Sequence, residues 1–295
     1  MVKNGYRRQK QQYRCLACGY QFRSSARGNF SVLALYRCYA IGKQTLVELS
    51  ELTGYSIRTI WQVFDELEIE PHFPETPEQP VNLIVDATFF GQNGGVLVFR
   101  ADQKNLYWRI IEDETVHEMK QGLDALDKRG YQFKSITLDG KQGMRQLFEQ
   151  RYPDLPIQFC QFHQAQIIRR YVTQHPKSAC SKELNGIMAC LTDTCEETFR
   201  SLLEAWAELY HDFLSEKNDQ GQFKHRRLRS AWRSLKSHLP YLFTYKNHPE
   251  LKMPNTTNSC EGSFAHWKQK IKIHRGLKKH RRDKMTNFLL SQQKK

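Results

Sequence analysis

The sequence predicts an α/β protein: a mixed sheet carrying an all-helical insertion, with two small modules ahead of it. Three observations carry that expectation. The runs "VNLIVDATFFG", "GGVLVFRA" and "NLYWRIIE" follow one another after residue 80, separated by turn residues. They are short, apolar and rich in β-branched and aromatic side chains, as strands are. Helical and strand patterns then alternate to 177, and from 178 the pattern is helical with no good strand before 245.

Within 81–177, "TVHEMKQGLDALDKRG" reads as an amphipathic helix ending at Gly130. "KSITLDG" is a strand, 142–150 a short helix and "IQFCQF" a strand, and a further helix begins near His163. The order β-β-β-α-β-α-β-α is that of ribonuclease H, so the core is expected to be RNase H-like, with its first and fourth strands as neighbours. The insertion is placed at 178–250. A helix restarts around Glu261 and runs to about 274, and a basic helical tail completes the final segment, 251–295. No internal repeat is visible.

Ahead of the sheet, "QYRCLACGYQFR" is one knuckle of a zinc ribbon, in which Gly19 permits the turn that points Cys15 and Cys18 at one ion. A structural zinc takes four ligands, and no second pair precedes these two. The partner ligands lie upstream of this start, or elsewhere in this chain or another, or the turn is metal-free. This half-ribbon is assigned 1–29. Residues 30–70 read as a helix-turn-helix, with a plain helical hairpin as the alternative. Leu46, Leu49 and Leu52 stripe its first helix, Thr53-Gly54 breaks it, and Ser56 caps the second. Ile57, Ile60, Val63 and Phe64 are expected inward, leaving Arg58, Thr59, Trp61 and Gln62 outward, where they could read base edges. Residues 71–80 hold four of the ten prolines and are read as a linker and domain boundary.

Charge narrows the partner. The chain carries a net +14, but residues 1–29 hold seven Lys/Arg and no acid, and 266–295 hold eleven Lys/Arg against one Asp. Removing these from totals of 45 basic and 31 acidic residues leaves 27 and 30, a body of −3 between two basic ends. That distribution favours a polyanion, since cations on phosphates release condensed counterions. Membrane binding would need an amphipathic apolar face that neither end shows. No run approaches the roughly 20 apolar residues of a membrane span, and no secretory signal is legible, so the expected location is the cytoplasm, on the nucleoid. The eight cysteines are scattered apart from Cys15 and Cys18, and most are expected to be small buried hydrophobes.

Asp86 interrupts an otherwise apolar strand, where a charge is costly unless paired or bound to metal. Asp139 ends another strand just before Gly140. On neighbouring strands the two carboxylates would share one edge, and a divalent cation would resolve their repulsion. Oxygen-only ligands favour Mg²⁺ or Mn²⁺. Glu261 is the candidate third acid of a site for two ions, which would clamp the attacking and leaving oxygens of a phosphodiester. Its lead-in "NTTNS" is expected to cap the helix start.

Taken in order, Asp86, Asp139, "CQFH" at 160–163 and "TTNSCEG" around Glu261 resemble the Mutator-like family of DDE transposases, and more narrowly bacterial insertion-sequence members that begin with a zinc-binding module. The resemblance covers nearly the whole length. The family's Cys-x-x-His motif falls on Cys160 and His163, and its Asn-bearing glutamate motif on Asn258 and Glu261. One departure is the missing first cysteine pair. The resemblance implies a DNA transposase in which Asp86, Asp139 and Glu261 hold Mg²⁺. Water nicks the element's end, and the freed 3′-OH attacks target DNA. It further implies binding to terminal inverted repeats and a homodimer or higher synaptic assembly. His163 would contact a scissile phosphate or position the acids. Cys160 is read as buried support rather than a nucleophile, for want of an evident activating base.

Other DNA contacts are expected from Arg226, Arg227, Arg229, Trp232 and Arg233 in the insertion. In the tail, Lys268, Lys272, Arg275, Lys278 and Lys279 would grip phosphates without reading sequence. The alternative readings are a zinc-ribbon and helix-turn-helix regulator, or an inactive transposase remnant, with the RNase H-like domain only a scaffold, and a Mg²⁺ nuclease without strand transfer. A glycosidase using two carboxylates fits neither the charge nor the N-terminal modules.

Overall fold

The computed structural model describes residues 1–7, 10–23 and 30–292, so the end of the first predicted module, 24–29, lies outside the described residues. By packing, the chain divides into two units, residues 1–71 with 268–292, and residues 72–267.

The first unit opens with β1 (Val2–Arg7), β2 (Lys10–Arg14) and β3 (Gln21–Arg23), an antiparallel sheet in chain order. The cysteine turn joins β2 to β3, with Gly19 N–H donating to Cys15 O at 2.9 Å. Three helices follow, α1 (Val32–Ala40), α2 (Leu46–Thr53) and α3 (Ile57–Glu66). Thr45 and Glu48 make a reciprocal capping box on α2, with each side chain accepting from the other's backbone N–H, at 2.6 and 3.2 Å. Gly54 ends α2 at φ 70°, a left-handed conformation that glycine adopts without strain. Ser56 Oγ accepts from Thr59 N–H at 3.1 Å, the cap expected of it. Tyr36, Tyr39, Leu49, Ile60 and Phe64 form the core between these helices.

Three side chains there differ from expectation. Leu52 and Ile57 are 56% and 41% exposed. The buried face of α2 runs Leu49–Thr53, an i, i+4 pair, and a stripe at spacing three drifts off it. Trp61, expected outward, is half-buried against Tyr39, with ring centroids 5.8 Å apart.

In the second unit, the proline-rich 71–80 stretch forms no helix or strand, yet from residue 72 it is not free. Phe73 packs on Trp108 at 4.6 Å, and Arg129 Nη2 donates to Pro74 O at 2.6 Å. Next come β4 (Val81–Phe89), β5 (Gly95–Ala101), β6 (Lys104–Ile111), α4 (Val116–Lys128), β7 (Phe133–Leu138), α5 (Gln142–Arg151) and β8 (Ile157–Phe159). They build a mixed five-stranded sheet in the order β6-β5-β4-β7-β8. β4 pairs antiparallel with β5 and parallel with β7, so the expected adjacency of the first and fourth strands is present.

Alternation along β4 separates two faces. Leu83 and Val85 join Leu97, Phe99, Met119, Leu123 and Phe148 in the main core. That core continues into the helical stretch α6 (Gln161–Val172), α7 (Ala179–Ala189), α8 (Glu196–Leu209), α9 (His211–Ser215), α10 (Arg226–Leu242) and α11 (Thr244–Asn247) through Leu184, Phe199 and Leu235. The stretch 178–250, expected to be helical, is thus largely so, with a lone bridge between Lys217 and Phe223 as its β feature among the described residues. Asn82, Ile84 and Asp86 occupy the other face of β4. The chain from 251 crosses it, with Asn82 Nδ2 donating to Leu251 O and Thr137 Oγ1 to Pro254 O, both at 2.9 Å. It then enters α12 (Asn258–Ile273), which is tied down by Arg100 Nε donating to Ser259 Oγ at 2.7 Å.

The last helix, α13 (Lys279–Ser291), returns to the first unit. Phe288 packs edge-on against Tyr36 at 5.1 Å, and Lys284 Nζ donates to Phe64 O and Asp65 O at 2.8 Å each. The predicted basic tail is therefore partly structural. Among the described residues, no helix is long and apolar enough to cross a membrane.

Candidate metal centre

β4 places Asp86 two residues beyond Ile84, whose register partner on β7 is Thr137. Extending that register sets Asp86 opposite Asp139, just past the end of β7. The turn there requires glycine, because Gly140 has φ +81° and an added Cβ would lie 2.8 Å from the Phe159 ring. Asp139 Oδ1 accepts from Lys141 N–H at 3.1 Å, which holds the carboxylate over the turn.

Cys160 is the N-cap of α6, so the Cys-x-x-His spacing puts His163 one helical turn along, directly beside it. Cys160 Sγ accepts from His163 N–H at 3.5 Å and from Thr257 N–H at 3.3 Å. The His163 imidazole lies beside Cys160 but, raised to about 9, holds its proton near neutral pH. Burial also keeps Cys160 from acting as a nucleophile, for it is 1% exposed. Burial would raise its pKa, but hydrogen bonds from His163 and Thr257 hold it below the ordinary thiol value.

Thr257 immediately precedes α12. Its carbonyl accepts from Cys260 N–H and Glu261 N–H at 2.8 and 3.2 Å. Its hydroxyl, expected to cap this helix, lies 3.4 Å from His163 Nδ1 and 3.5 Å from Cys160 Sγ. The lead-in thus ties the start of α12 to α6. One turn on, Glu261 Oε1 sits 3.5 Å from His163 Nε2. Asp86, His163 and Glu261 each offer a ligand atom within 4.8 Å of the other two.

Asp139 stands outside that group but within its field. Asp86 is pushed up to about 7, chiefly by burial, and the charges of Asp139 and Glu261 add to the shift, while His163 and the Ala87 N–H oppose it. His163 is raised to about 9 by its hydrogen bond with Cys160, against burial, with the charges of Asp86 and Glu261 contributing. The sequence reading missed a fourth acid, Glu114. Burial and the charge of Asp139 raise its pKa, and Lys141 Nζ bridges to its carbonyl at 2.6 Å and its carboxylate at 3.7 Å. Two acids, Asp86 and Glu114, raised chiefly by burial with neighbouring carboxylate charges adding to the shift, fit a divalent cation.

Cys15 and Cys18 fit a zinc site only by half. The Cys15 thiol lies below its ordinary value because the Cys18 and Ala17 N–H groups point at it. Yet among the described residues no third His, Cys, Asp or Glu groups with the pair.

The expected DNA-contacting residues are dispersed. Arg58 is exposed, Gln62 Nε2 donates to Glu66 at 3.1 Å, and Thr59 bonds Ser56 at 2.8 Å. Trp232 packs on Trp206 at 6.1 Å, as a core contact. Arg226 and Arg227 donate to Gln222 Oε1 and Arg170 O, and Arg229 lies over the Phe223 ring at 3.5 Å. Arg233 is exposed. Lys272, Arg275 and Lys278 are exposed, Lys268 is half-buried, and Lys279 pairs with Asp283 at 3.2 Å.

No family model matches this chain, and no curated protein matches it. The resemblance to Mutator-like transposases therefore rests on the sequence motifs alone.

Proposed function

We propose that this chain is a DDE-type DNA transposase of a bacterial insertion sequence, with an RNase H-like core. The observation that supports this reading best is the approach of Asp86, His163 and Glu261, from β4, α6 and α12, beside Asp139 on the neighbouring strand. The strand order, with its first strand flanked by the second and fourth, is in keeping with the same core.

In this reading Asp86, Asp139 and Glu261 hold Mg²⁺ or Mn²⁺. Such ions would supply Lewis-acid stabilisation of the attacking and leaving oxygens of a phosphodiester. The protein's own contribution is positional. Burial restricts the Asp86 carboxylate, and the Lys141 N–H holds one oxygen of Asp139. His163, cationic beside them, faces an incoming phosphate oxygen. The reaction is hydrolysis at the element's end, leaving a 3′-OH and a 5′-phosphate, followed by attack of that hydroxyl on a target phosphodiester with release of the target strand's own 3′-OH. Helices α2 and α3, with Arg58 exposed, serve as a helix-turn-helix for the terminal repeats. Exposed Lys272, Arg275 and Lys278 add phosphate contacts.

The experiment is incubation with DNA bearing flanking inverted repeats, with and without Mg²⁺, comparing wild type with Glu261→Gln. Mg²⁺-dependent cleavage that the variant loses while still binding DNA supports a transposase or nuclease, and joining of 3′-OH ends to a second DNA separates the two. Binding without cleavage in either protein would favour the alternative, a DNA-binding regulator or an inactive remnant on this scaffold.

A further inference from the structure

We propose that the cavity between the end of α6, the start of α7, α9 and the start of α10 binds a nucleotide, with its phosphate on a cationic wall and its base on an aromatic one. The inference goes beyond the metal centre and does not rest on the reaction assigned there.

The cavity measures about 760 Å³, within the range of small-molecule sites. Lys177, Lys224, Arg226 and Arg227 line it, and among the described residues no Asp or Glu does. Glu216, which pairs with Lys224 at 3.5 Å, stands outside the lining. Lys177 is exposed and directly precedes Ser178, the N-cap of α7. Ser178 and Ser181 also line the cavity, so the first turn of α7 adds its backbone N–H dipoles to the lysine charge. This wall attracts an anion.

The opposite wall sets the rest of the ligand. Phe213 lies on the His225 imidazole, with ring centroids 3.7 Å apart, and Arg229 sits 3.5 Å over the Phe223 ring. Both phenyl groups line the cavity and are half-buried. A planar base entering it meets rings already backed by a π or cationic partner. His225 Nε2 is buried and makes no hydrogen bond, although the Glu216 carboxylate lies 3.5 Å away. Asn218 Oδ1 accepts from Gln220 and Gln222 N–H at 3.1 and 2.9 Å, which fixes the amide and leaves Nδ2 for a base edge. Thr173, also in the lining, holds φ 72° with ψ 167°, a conformation costly for any residue with a Cβ and concentrated at ligand sites. A bare phosphate would use the cations alone; the rings and the amide select a nucleotide.

That nucleotide is either free or an unpaired one in a DNA strand. α6 carries His163 at the metal centre and meets the cavity at Thr173, about 15 Å further along the helix. A strand held at the metal centre is therefore within reach of the cavity.

The test is fluorescence titration of the full chain in EDTA with two probes, etheno-AMP and a single-stranded oligonucleotide carrying one fluorescent aminopurine. The expected result is one etheno-AMP or one aminopurine held per chain. Lys177→Gln and Phe223→Ala should each weaken binding at least about tenfold, and Glu261→Gln should leave it within about threefold. Lys177 is exposed, so its variant keeps the fold, and circular dichroism checks Phe223→Ala. An aminopurine signal that both variants lose assigns the site to a strand, and etheno-AMP binding without that signal assigns it to a free nucleotide; either supports the inference. Binding of neither probe, equal binding in both variants, loss in Glu261→Gln, or displacement of etheno-AMP by inorganic phosphate as readily as by AMP overturns it. Mg²⁺-dependent DNA cleavage with no nucleotide in the cavity leaves the proposed function standing alone. Nucleotide bound there with no DNA cleaved has the opposite meaning.

Discussion

His163 on α6 and Glu261 on α12 face each other with Nε2 3.5 Å from Oε1. Neither helix contributes a strand to the sheet, yet together they close the space above Asp86. If these groups do chemistry, Glu261→Gln should lower metal-dependent DNA cleavage at least about 100-fold, some 2.7 kcal/mol of barrier. DNA affinity by gel shift should change little. Equal loss of binding and cleavage would mean that Glu261 only holds the fold.

Asp86 carries the opposite signature in stability. It is buried and repelled by neighbouring acids, so Asp86→Asn should stabilise the metal-free protein at pH 8, by about 1–3 kcal/mol. Urea unfolding in EDTA measures this. A destabilised Asn variant would show that the carboxylate is structurally paired after all.

Gly140 holds Asp139 in place through a backbone that other residues resist. Gly140→Ala combines a φ of +81° with a contact 2.8 Å from Phe159. The expected cost is about 2 kcal/mol or more. A shift in thermal midpoint of less than about 1 °C would show that the turn adapts freely.

His274 gives the first unit a dependence on pH. It is 8% exposed, and its Nε2–H donates to Tyr39 O at 3.0 Å. Burial lowers its pKa from 6.5, with the carbonyl opposing. The unfolded chain therefore takes up the proton first. Its contribution is intact above 6.5 and is lost as pH falls from there through the lower folded value. Hydrogen exchange at α1 and α3 amides should speed up between pH 7 and 5 beyond the intrinsic rate change. His274→Gln should flatten that excess.

Arg281 links α13 to α3. It forms two hydrogen bonds to Asp65, at 2.8 and 2.5 Å, and lies 3.8 Å above the Trp61 ring. Arg281→Ala should cost about 1 kcal/mol and alter Trp61 fluorescence. Lys272→Ala, by contrast, should leave stability within about 0.5 kcal/mol. It should reduce the salt slope of DNA binding by about 0.9 if it contacts one phosphate.

The acids were legible in the sequence for a physical reason. A lone carboxylate in an apolar strand, as at Asp86, is an anomaly that a reader can see, and the strand order brought Asp139 beside it. Glu114 had no such signal, since it sits among Glu112, Asp113 and Glu118 and only the fold selects it. Thr257 likewise stands in a run of small polar residues, and its part depends on where α6 ends up. The helical nature of α13 was visible, but its packing was not. Its buried side chains, Met285, Phe288 and Leu289, are spaced among many cations, whose charge suggested solvent and phosphate. Trp61 was misassigned because a helix taken alone cannot show that Arg281 and Tyr39 will flank it.

The first unit is assembled from both ends of the chain, residues 1–71 and 268–292. On the ribosome the opening helices must wait for about 200 residues of translation, roughly 10–40 s, before Phe288 and Arg281 exist to meet them. Tyr36 and Phe64 stay incompletely covered meanwhile, open to chaperones. The strands of the sheet are contiguous and pair without waiting, and the 251–259 segment that crosses β4 joins them later. A nascent chain would therefore mature from its middle outward, and a transcript cut short before residue 279 would yield a unit lacking the helix that completes its core.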